Sequence, residues 1–310
     1  MIRIGLVGFN NNQLNILKKK FPKNKLTNIK DLNDKKYFNL NAIVAYNQSA
    51  IEKFIFEKKF LLFQNLNWLH LSIAGVDEYT ENFKKLKFTV TCGKIIPGSN
   101  VSEQGLALLL YLTRLNKNKN NQFNSVPITI YRKKVLIYGF GGIGINLAEK
   151  CAAFGCDVHT VSNKVKPNLS FIRKHYTDDS FINDLNKFDI IFISAPLTKY
   201  TENFFNYKLM SKMKSGSYLI NVSRGKILNT DDLVKLLDKN KFAGVGLDVL
   251  DHEPIPKNHI LKKYRNVLIS DHTAGMGSDK NLRFDLVVKN IDNYLNNRKL
   301  NNIVDTDEEY

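Results

Sequence analysis

Cysteine is scarce, with three in 310 residues. Cys92, Cys151 and Cys156 are odd in number and lack metal-ligand spacing. That excludes a disulfide scaffold and a zinc module, and reduced thiols in a cytoplasmic protein are the expectation. No apolar run approaches the about 20 residues of a membrane-spanning helix. The apolar part of MIRIGLVGFN is too short for a secretory leader and reads as a first strand. Repeats of solenoid period are absent. Acidic residues are outnumbered, 29 against 46 Lys and Arg, for a net charge of +17. Such an excess invites a nucleic-acid partner, but the lysines are scattered among Asn, Ile and Phe. They form no basic stripe interleaved with aromatics and accompany no helix-turn-helix or zinc pattern, so nucleic acid is not an expected partner. A general positive field would still draw in small anions.

What is present is an α/β pattern long enough for about two domains. In the first third, Ile2–Val7, Ala42–Tyr46, Trp68–Leu71 and Phe88–Thr91 read as strands, with helices around Gln13–Lys20 and Ala50–Lys58. Strands alternating with helices imply parallel sheets with helices on both faces. Ser102–Thr113 is a continuously apolar helix, which suggests burial between domains or subunits. The polar, low-complexity stretch Asn116–Pro127 follows as the clearest linker. Thereafter Val135–Tyr138, Cys156–Val161, Phe188–Ile193, Tyr218–Val222, Gly244–Val249 and Val267–Ser270 read as strands. Thr230–Leu237 and a long last helix over Ser278–Leu295 complete the pattern.

The stretch Lys133–Gly144, KKVLIYGFGGIG, is a buried strand running into a glycine cluster and then a helix at Ile143–Phe154. Gly139, Gly141 and Gly144 fit G-x-G-x-x-G. The first glycine permits the tight turn and the second lets a pyrophosphate approach the backbone. The third lets helix pack on strand, and the helix N-terminus faces the negative charge. Gly5 and Gly8 in GLVGFN have the wrong spacing and read as a decoy.

Ligands of open α/β sheets bind beyond the C-terminal ends of the strands. The polar residues there are Ser223 and Arg224 after LINV, Asp251, His252 and Glu253 after GVGLDV, and Asp271 and His272 after VLIS. Arg224 can hold a carboxylate with two parallel hydrogen bonds. His272 can give or take a proton near neutral pH. Glu253 can fix the imidazole tautomer and stabilise the imidazolium. With a nicotinamide on the glycine loop, these groups suit reduction of a 2-oxo acid, hydride to the carbonyl carbon and proton to its oxygen. His252 competes in the same loop, but HTAG flanks His272 with small residues that permit close cofactor approach. His70, His159, His175 and His259 lack such a strand-end position and read as structural or exposed.

The ordered segments GFGGIG, APLT (Ala195–Thr198), INVSRG (Ile220–Gly225), GLDVLDHEP (Gly246–Pro254) and DHTAG (Asp271–Gly275) resemble the D-isomer-specific 2-hydroxyacid dehydrogenase family over nearly the whole chain. The resemblance implies two Rossmann- or flavodoxin-like doubly wound parallel-sheet domains with the active site in the cleft. Residues 1–98 plus 280–310 would form a discontinuous substrate-binding domain and 99–279 the dinucleotide-binding domain. It implies Arg224 as carboxylate and carbonyl binder, Glu253 as histidine partner and His272 as acid/base. Gly142 and Ile143 would cradle the pyrophosphate. Ala195, Pro196, Val222, Ser223, Asp248 and Ala274 would line the cofactor, Asp248 near the nicotinamide amide. SIAGVDEY (Ser72–Tyr79) resembles the carboxylate loop, with backbone N–H groups near Ala74, Gly75 and Val76 as donors. NVSEQ (Asn100–Gln104) resembles the entry to the inter-domain helix.

Two features depart from the family pattern. An NAD-preferring site wants Asp or Glu at the end of the second strand, to bond the ribose 2′-OH. Here DVHTV ends in Ser162, Asn163 and Lys164, and Asp157 lies at the wrong end. With no carboxylate to repel a 2′-phosphate and a lysine to attract it, the cofactor is expected to be NADP in preference to NAD. The Asn116–Arg132 connection is also shorter than the family's, which bears on the details of an expected homodimer. The implied activity is reduction of a small 2-oxo acid, as in glyoxylate/hydroxypyruvate reductases. Dehydrogenation of phosphoglycerate, or cofactor sensing without turnover, are the alternatives. No metal is called for.

Overall fold

The computed structural model describes residues 2–22, 25–79, 83, 88–94, 96–115, 126–163, 169–177, 179–276 and 280–305. The chain forms two compact units, Met1–Ile96 with Asp279–Tyr310, and Pro97–Ser278. The first runs β1 (Ile4–Val7), α1 (Asn11–Lys20), β2 (Leu26–Asn28), β3 (Ala42–Ala45), α2 (Gln48–Phe56), β4 (Trp68–Leu71) and β5 (Thr89–Cys92). The second contains α3 (Gly98–Leu110), β6 (Lys134–Tyr138), α4 (Gly142–Ala153), β7 (Asp157–Val161), β8 (Lys174–Tyr176) and β9 (Ile190–Ile193). It continues through α5 (Tyr207–Ser211), β10 (Ser217–Asn221), α6 (Thr230–Asp238), β11 (Phe242–Leu247) and β12 (Val267–Ile269). Then α7 (Lys280–Leu295) returns the chain to the first unit.

The first unit's sheet is parallel, in the order β2-β1-β3-β4-β5. Every residue of β1, β3 and β4 is buried, as expected of strands covered on both faces. Ile43, Ala45, Leu69 and Leu71 share a cluster with Ile51, Phe54 and Ile55 of α2. Ile4, Leu6, Val44 and Trp68 share another with Leu14 and Leu17 of α1 and Val287, Val288 and Ile291 of α7. The turn at Gly8 after β1 is closed by the chain itself. The Asn47 side chain donates to the Gly8 carbonyl at 3.1 Å and caps α2 by accepting from Ala50 N–H at 2.8 Å. Asn10 and Gln13 close the start of α1 reciprocally.

The second sheet is also parallel, in the order β12-β11-β10-β9-β6-β7-β8. Its strand order reverses between β6 and β9, the place where doubly wound sheets open a crevice at the strand ends. The buried side of helix α3 packs into this unit's own core. A Cβ on Gly105 would lie 3.3–3.4 Å from Leu147, Phe192 and Val222, and Val101, Leu106, Leu108 and Leu109 cluster with β6, α4, β9 and β10. The helix continues as a π turn over Tyr111–Leu115, where the Thr113 hydroxyl bonds back to the Leu109 carbonyl.

The strands β2 and β8, the short helix α5 and several 3-10 turns, the longest over Asp179–Lys187, are additions to the sequence reading. The other described strands and α-helices match it to within a few residues at their ends, while residues 116–125 of the expected linker and Ser278 at the expected start of the last helix lie outside the described residues. Among the described residues no helix is long and apolar enough to cross a membrane.

Candidate active site

The glycine loop is built by two close approaches and one opening. Gly139 ends β6 at φ +101°, in the region that L side chains rarely adopt, and a Cβ there would meet the Ala195 backbone nitrogen at 2.4 Å. The loop after β6 therefore lies directly on the loop after β9, at the switch point. A Cβ on Gly144 would meet the Gly139 carbonyl oxygen at 2.0 Å, so α4 can begin this close to β6 only with glycine there. Gly141 has nothing within 4 Å of where a Cβ would stand. It is the N-cap of α4 and, being glycine, has no side chain to cap the helix's first N–H groups. By contrast α1, α2, α5 and α6 are each capped by an asparagine side chain. The bare helix start behind an open glycine suits a pyrophosphate, which accepts from exposed N–H groups and is favoured by the helix dipole. Gly142 and Ile143 are partly exposed at this start.

Three loops at the strand ends hold the other candidate residues. After β10 the buried Asn221 side chain shapes the chain, donating to the Arg224 carbonyl at 3.0 Å and accepting from Ser223 N–H at 3.1 Å. The Arg224 guanidinium donates to the Ser223 carbonyl at 2.8 Å. A Cβ on Gly225 would fall 1.8 Å from the Leu250 carbonyl carbon, so the arginine loop is pressed backbone to backbone against the loop after β11. That second loop carries Glu253, whose carboxylate accepts from Leu250 N–H at 2.9 Å through Oε1 and bonds His272 Nδ1 at 2.7 Å through Oε2. With Nδ1 held by a carboxylate, Nε2 is the nitrogen available for proton exchange.

His272 itself lies in the left-handed region, at φ +52°. Asp248, 1% exposed, holds it there. The Asp248 carbonyl accepts from His272 N–H at 2.8 Å. Its carboxylate accepts from Thr273 N–H at 3.2 Å, Ala274 N–H at 3.1 Å and the Ser270 hydroxyl at 2.7 Å. Gln104 of α3 donates to Ser270 in turn, at 3.0 Å. The Asp248 carboxylate, expected near a nicotinamide amide, is thus used inside the histidine loop. The competing His252 is 84% exposed in its side chain and lies beside Asp251 at 3.5 Å.

The remaining candidates fall as follows. Ala195, Val222, Ser223 and Ala274 are buried at the same strand ends. Pro196 is exposed, and its carbonyl accepts from the Thr201 hydroxyl at 2.7 Å. Ser162 and Asn163 follow β7 directly, and Lys164 lies outside the described residues. Ala74, Gly75 and Val76 follow β4 in the first unit. Val76 is 3% exposed and the Ala74 carbonyl accepts from the Cys92 thiol at 3.9 Å. Among the described residues no group of three or more His, Cys, Asp or Glu is arranged to hold a metal. Sequence reasoning missed Asn221, Ser270 and Gln104. For the first, the signal was available: a polar side chain closing the apolar run Tyr218–Ile220 needs partners in the turn that follows.

Residues 108–274 match the family described as D-isomer specific 2-hydroxyacid dehydrogenase, NAD binding domain. A glyoxylate reductase of Thermofilum pendens is 35% identical over 171 residues, 51% of this chain and 47% of that protein. The chain thus spans about half the length of that relative. Two solved structures share the fold. A D-isomer specific 2-hydroxyacid dehydrogenase family protein of Aeromonas salmonicida aligns over 99% of this chain and 100% of its own, with TM-score 0.81 and 24% identity. An NADPH-dependent glyoxylate/hydroxypyruvate reductase of Sinorhizobium meliloti, solved with NADP and sulfate, aligns over 100% of both chains, with TM-score 0.79 and 21% identity. The fingerprint loop, the ordered strand-end motifs and these matches place the chain in the D-isomer specific 2-hydroxyacid dehydrogenase family.

Proposed function

We propose that the chain reduces a small 2-oxo acid of the glyoxylate or hydroxypyruvate type, with NADP preferred over NAD. The observation that carries the reading is the Glu253–His272 pair at 2.7 Å, in a loop pressed against the one that presents Arg224. A carboxylate-oriented imidazole, with a guanidinium on a loop packed against the one that carries the carboxylate, is the equipment for protonating a carbonyl oxygen on a substrate held by its carboxylate.

The bound nicotinamide supplies the hydride. Arg224 holds the substrate carboxylate and polarises the carbonyl. His272 Nε2 delivers a proton to the carbonyl oxygen, and Glu253 keeps Nδ1 protonated and the ring oriented. Backbone N–H groups of Ala74, Gly75 and Val76 add carboxylate donors. Gly139, Gly141, Gly142, Ile143 and Gly144 would hold the pyrophosphate, with Ala195, Pro196, Val222, Ser223, Asp248 and Ala274 around the cofactor. Ser162, Asn163 and Lys164 would meet the adenosine ribose, and the missing acid there is the reason for preferring NADP. The name of the glyoxylate reductase among the relatives supports the substrate class, and similar solved structures hold NADP in some cases and NAD in others.

Val126, Ile128 and Tyr131 are exposed apolar side chains of the second unit, which supports an expected homodimer. The three cysteines are free thiols, and we place the enzyme in the cytoplasm. The test is steady-state oxidation of NADPH and NADH with glyoxylate, hydroxypyruvate, a phosphorylated 2-oxo acid and longer 2-oxo acids. Turnover of the small unphosphorylated acids with NADPH supports the reading. Turnover of the phosphorylated acid alone transfers it to phosphoglycerate chemistry, and no turnover with either cofactor favours a sensor.

A further inference from the structure

The end of β7, where the expected acid is missing, contains a group that no sequence motif announced. His175 lies on β8, paired in register with Thr160 of β7. Its ring spans two hydroxyls of the neighbouring strand, with Nδ1 2.7 Å from Thr160 Oγ1 and Nε2 3.3 Å from Ser162 Oγ. Thr160 is fully buried, and Ser162 N–H continues the ladder by donating to the Tyr176 carbonyl at 3.0 Å. Phe140, inside the glycine loop, packs its ring 5.5 Å from the imidazole. The histidine is therefore fixed between the phosphate loop and the ribose end of the same βαβ unit.

A neutral imidazole has one donor and one acceptor, and the imidazolium has two donors. With the proton on Nε2, or on both nitrogens, the ring donates to Ser162 Oγ and the serine hydrogen turns away from it. Only with the proton on Nδ1 alone does Ser162 donate into the ring and keep lone pairs outward. A phosphate is acceptor-only, so it selects the first two states, in which the serine offers a donor. A ribose 2′-hydroxyl both donates and accepts, and selects none of them.

We propose that His175 is a specificity-determining positioning residue, which turns the Ser162 hydroxyl into a donor for the 2′-phosphate of NADP. It stands in for the acceptor carboxylate of an NAD-preferring site. The proposal rests on the reading that the adenosine ribose binds at the end of β7.

The test is calorimetric titration of NADPH, NADH, 2′,5′-ADP and 5′-AMP into wild type, His175→Leu, His175→Gln and Ser162→Ala. His175→Leu and Ser162→Ala should each weaken NADPH and 2′,5′-ADP about tenfold, the loss of one charge-assisted hydrogen bond. NADH and 5′-AMP should stay within about twofold in His175→Leu, since the 2′-hydroxyl selects no ring state. Glutamine, whose amide nitrogen takes the place of Nε2, should restore most of the difference. Equal weakening of NADPH and NADH in His175→Leu marks a merely structural role and overturns the proposal, as does an unchanged ratio. Wild-type protein that binds neither dinucleotide overturns the dinucleotide reading itself, an outcome distinct from either of those.

Discussion

At the scale of single residues the site is an arrangement of hydrogen bonds that leaves one ring nitrogen for chemistry. His272 accepts a left-handed backbone, a cost of about 1–2 kcal/mol for an L residue, and Asp248 compensates by holding three consecutive N–H groups of the loop. Replacing His272 by Gln removes proton transfer, so kcat should fall by about 10²–10⁴-fold. NADPH affinity, read by titration, should stay within about twofold because the fingerprint loop is separate. An unchanged kcat removes His272 from the mechanism. Arg224→Gln should raise KM for the 2-oxo acid and lower kcat/KM, with the dissociation constant of NADPH little changed. A variant that loses cofactor binding while retaining substrate KM contradicts the assignment. The types and order of Arg224, Glu253 and His272 were legible in sequence because each follows a largely apolar strand. The use of the Asp248 carboxylate was not, because a side chain's direction in a loop depends on the partners that fold beside it.

At the scale of elements, the strand–turn–helix around Gly139–Gly144 divides into positions that hold structure and one that leaves room. Gly144→Ala forces a Cβ against the backbone carbonyl of Gly139, so it should lower the thermal midpoint and weaken NADPH binding together. Gly141→Ala meets nothing, so its midpoint should match wild type while the pyrophosphate loses its close approach. Equal behaviour of the two variants in melting would refute that division. This motif was legible because its glycines are spaced by the turn itself. The strands β2 and β8 were not. Each is three residues long and forms the edge of its sheet. An edge strand has one neighbour and tolerates polar residues such as Lys174 and His175, so no apolar run or alternation marks it. Missing β8 also hid His175, whose position at the end of β7 comes from cross-strand pairing.

At the scale of the molecule, two parallel sheets with buried strands bring burial that a titration can detect. His70, fully buried on β4 with Nδ1 bonded to Thr91 Oγ1, is pushed by burial from an ordinary 6.5 down to about 3. The folded state keeps it neutral while the unfolded chain takes up a proton below about pH 6.5. Stability therefore falls as pH drops from 6.5 toward 3, by about 1.4 kcal/mol per pH unit for this one proton. His70→Gln should show a correspondingly smaller loss between pH 7 and pH 5 in urea unfolding. Identical slopes in wild type and variant contradict it. The parallel sheets with helices on both faces were legible from alternation, and the doubly wound two-domain form from the family resemblance. The identity of the 2-oxo acid was not, since pocket shape is set by tertiary packing that no single segment encodes. The central claim is hydride transfer to the carbonyl carbon of a 2-oxo acid, and its most direct test uses NADPH deuterated at the transferable position of the nicotinamide. Incubated with glyoxylate or hydroxypyruvate, the enzyme should yield a 2-hydroxy acid carrying one deuterium on C2 by mass spectrometry. A reduced product without deuterium at C2, or no reduced product from any 2-oxo acid, would contradict the account.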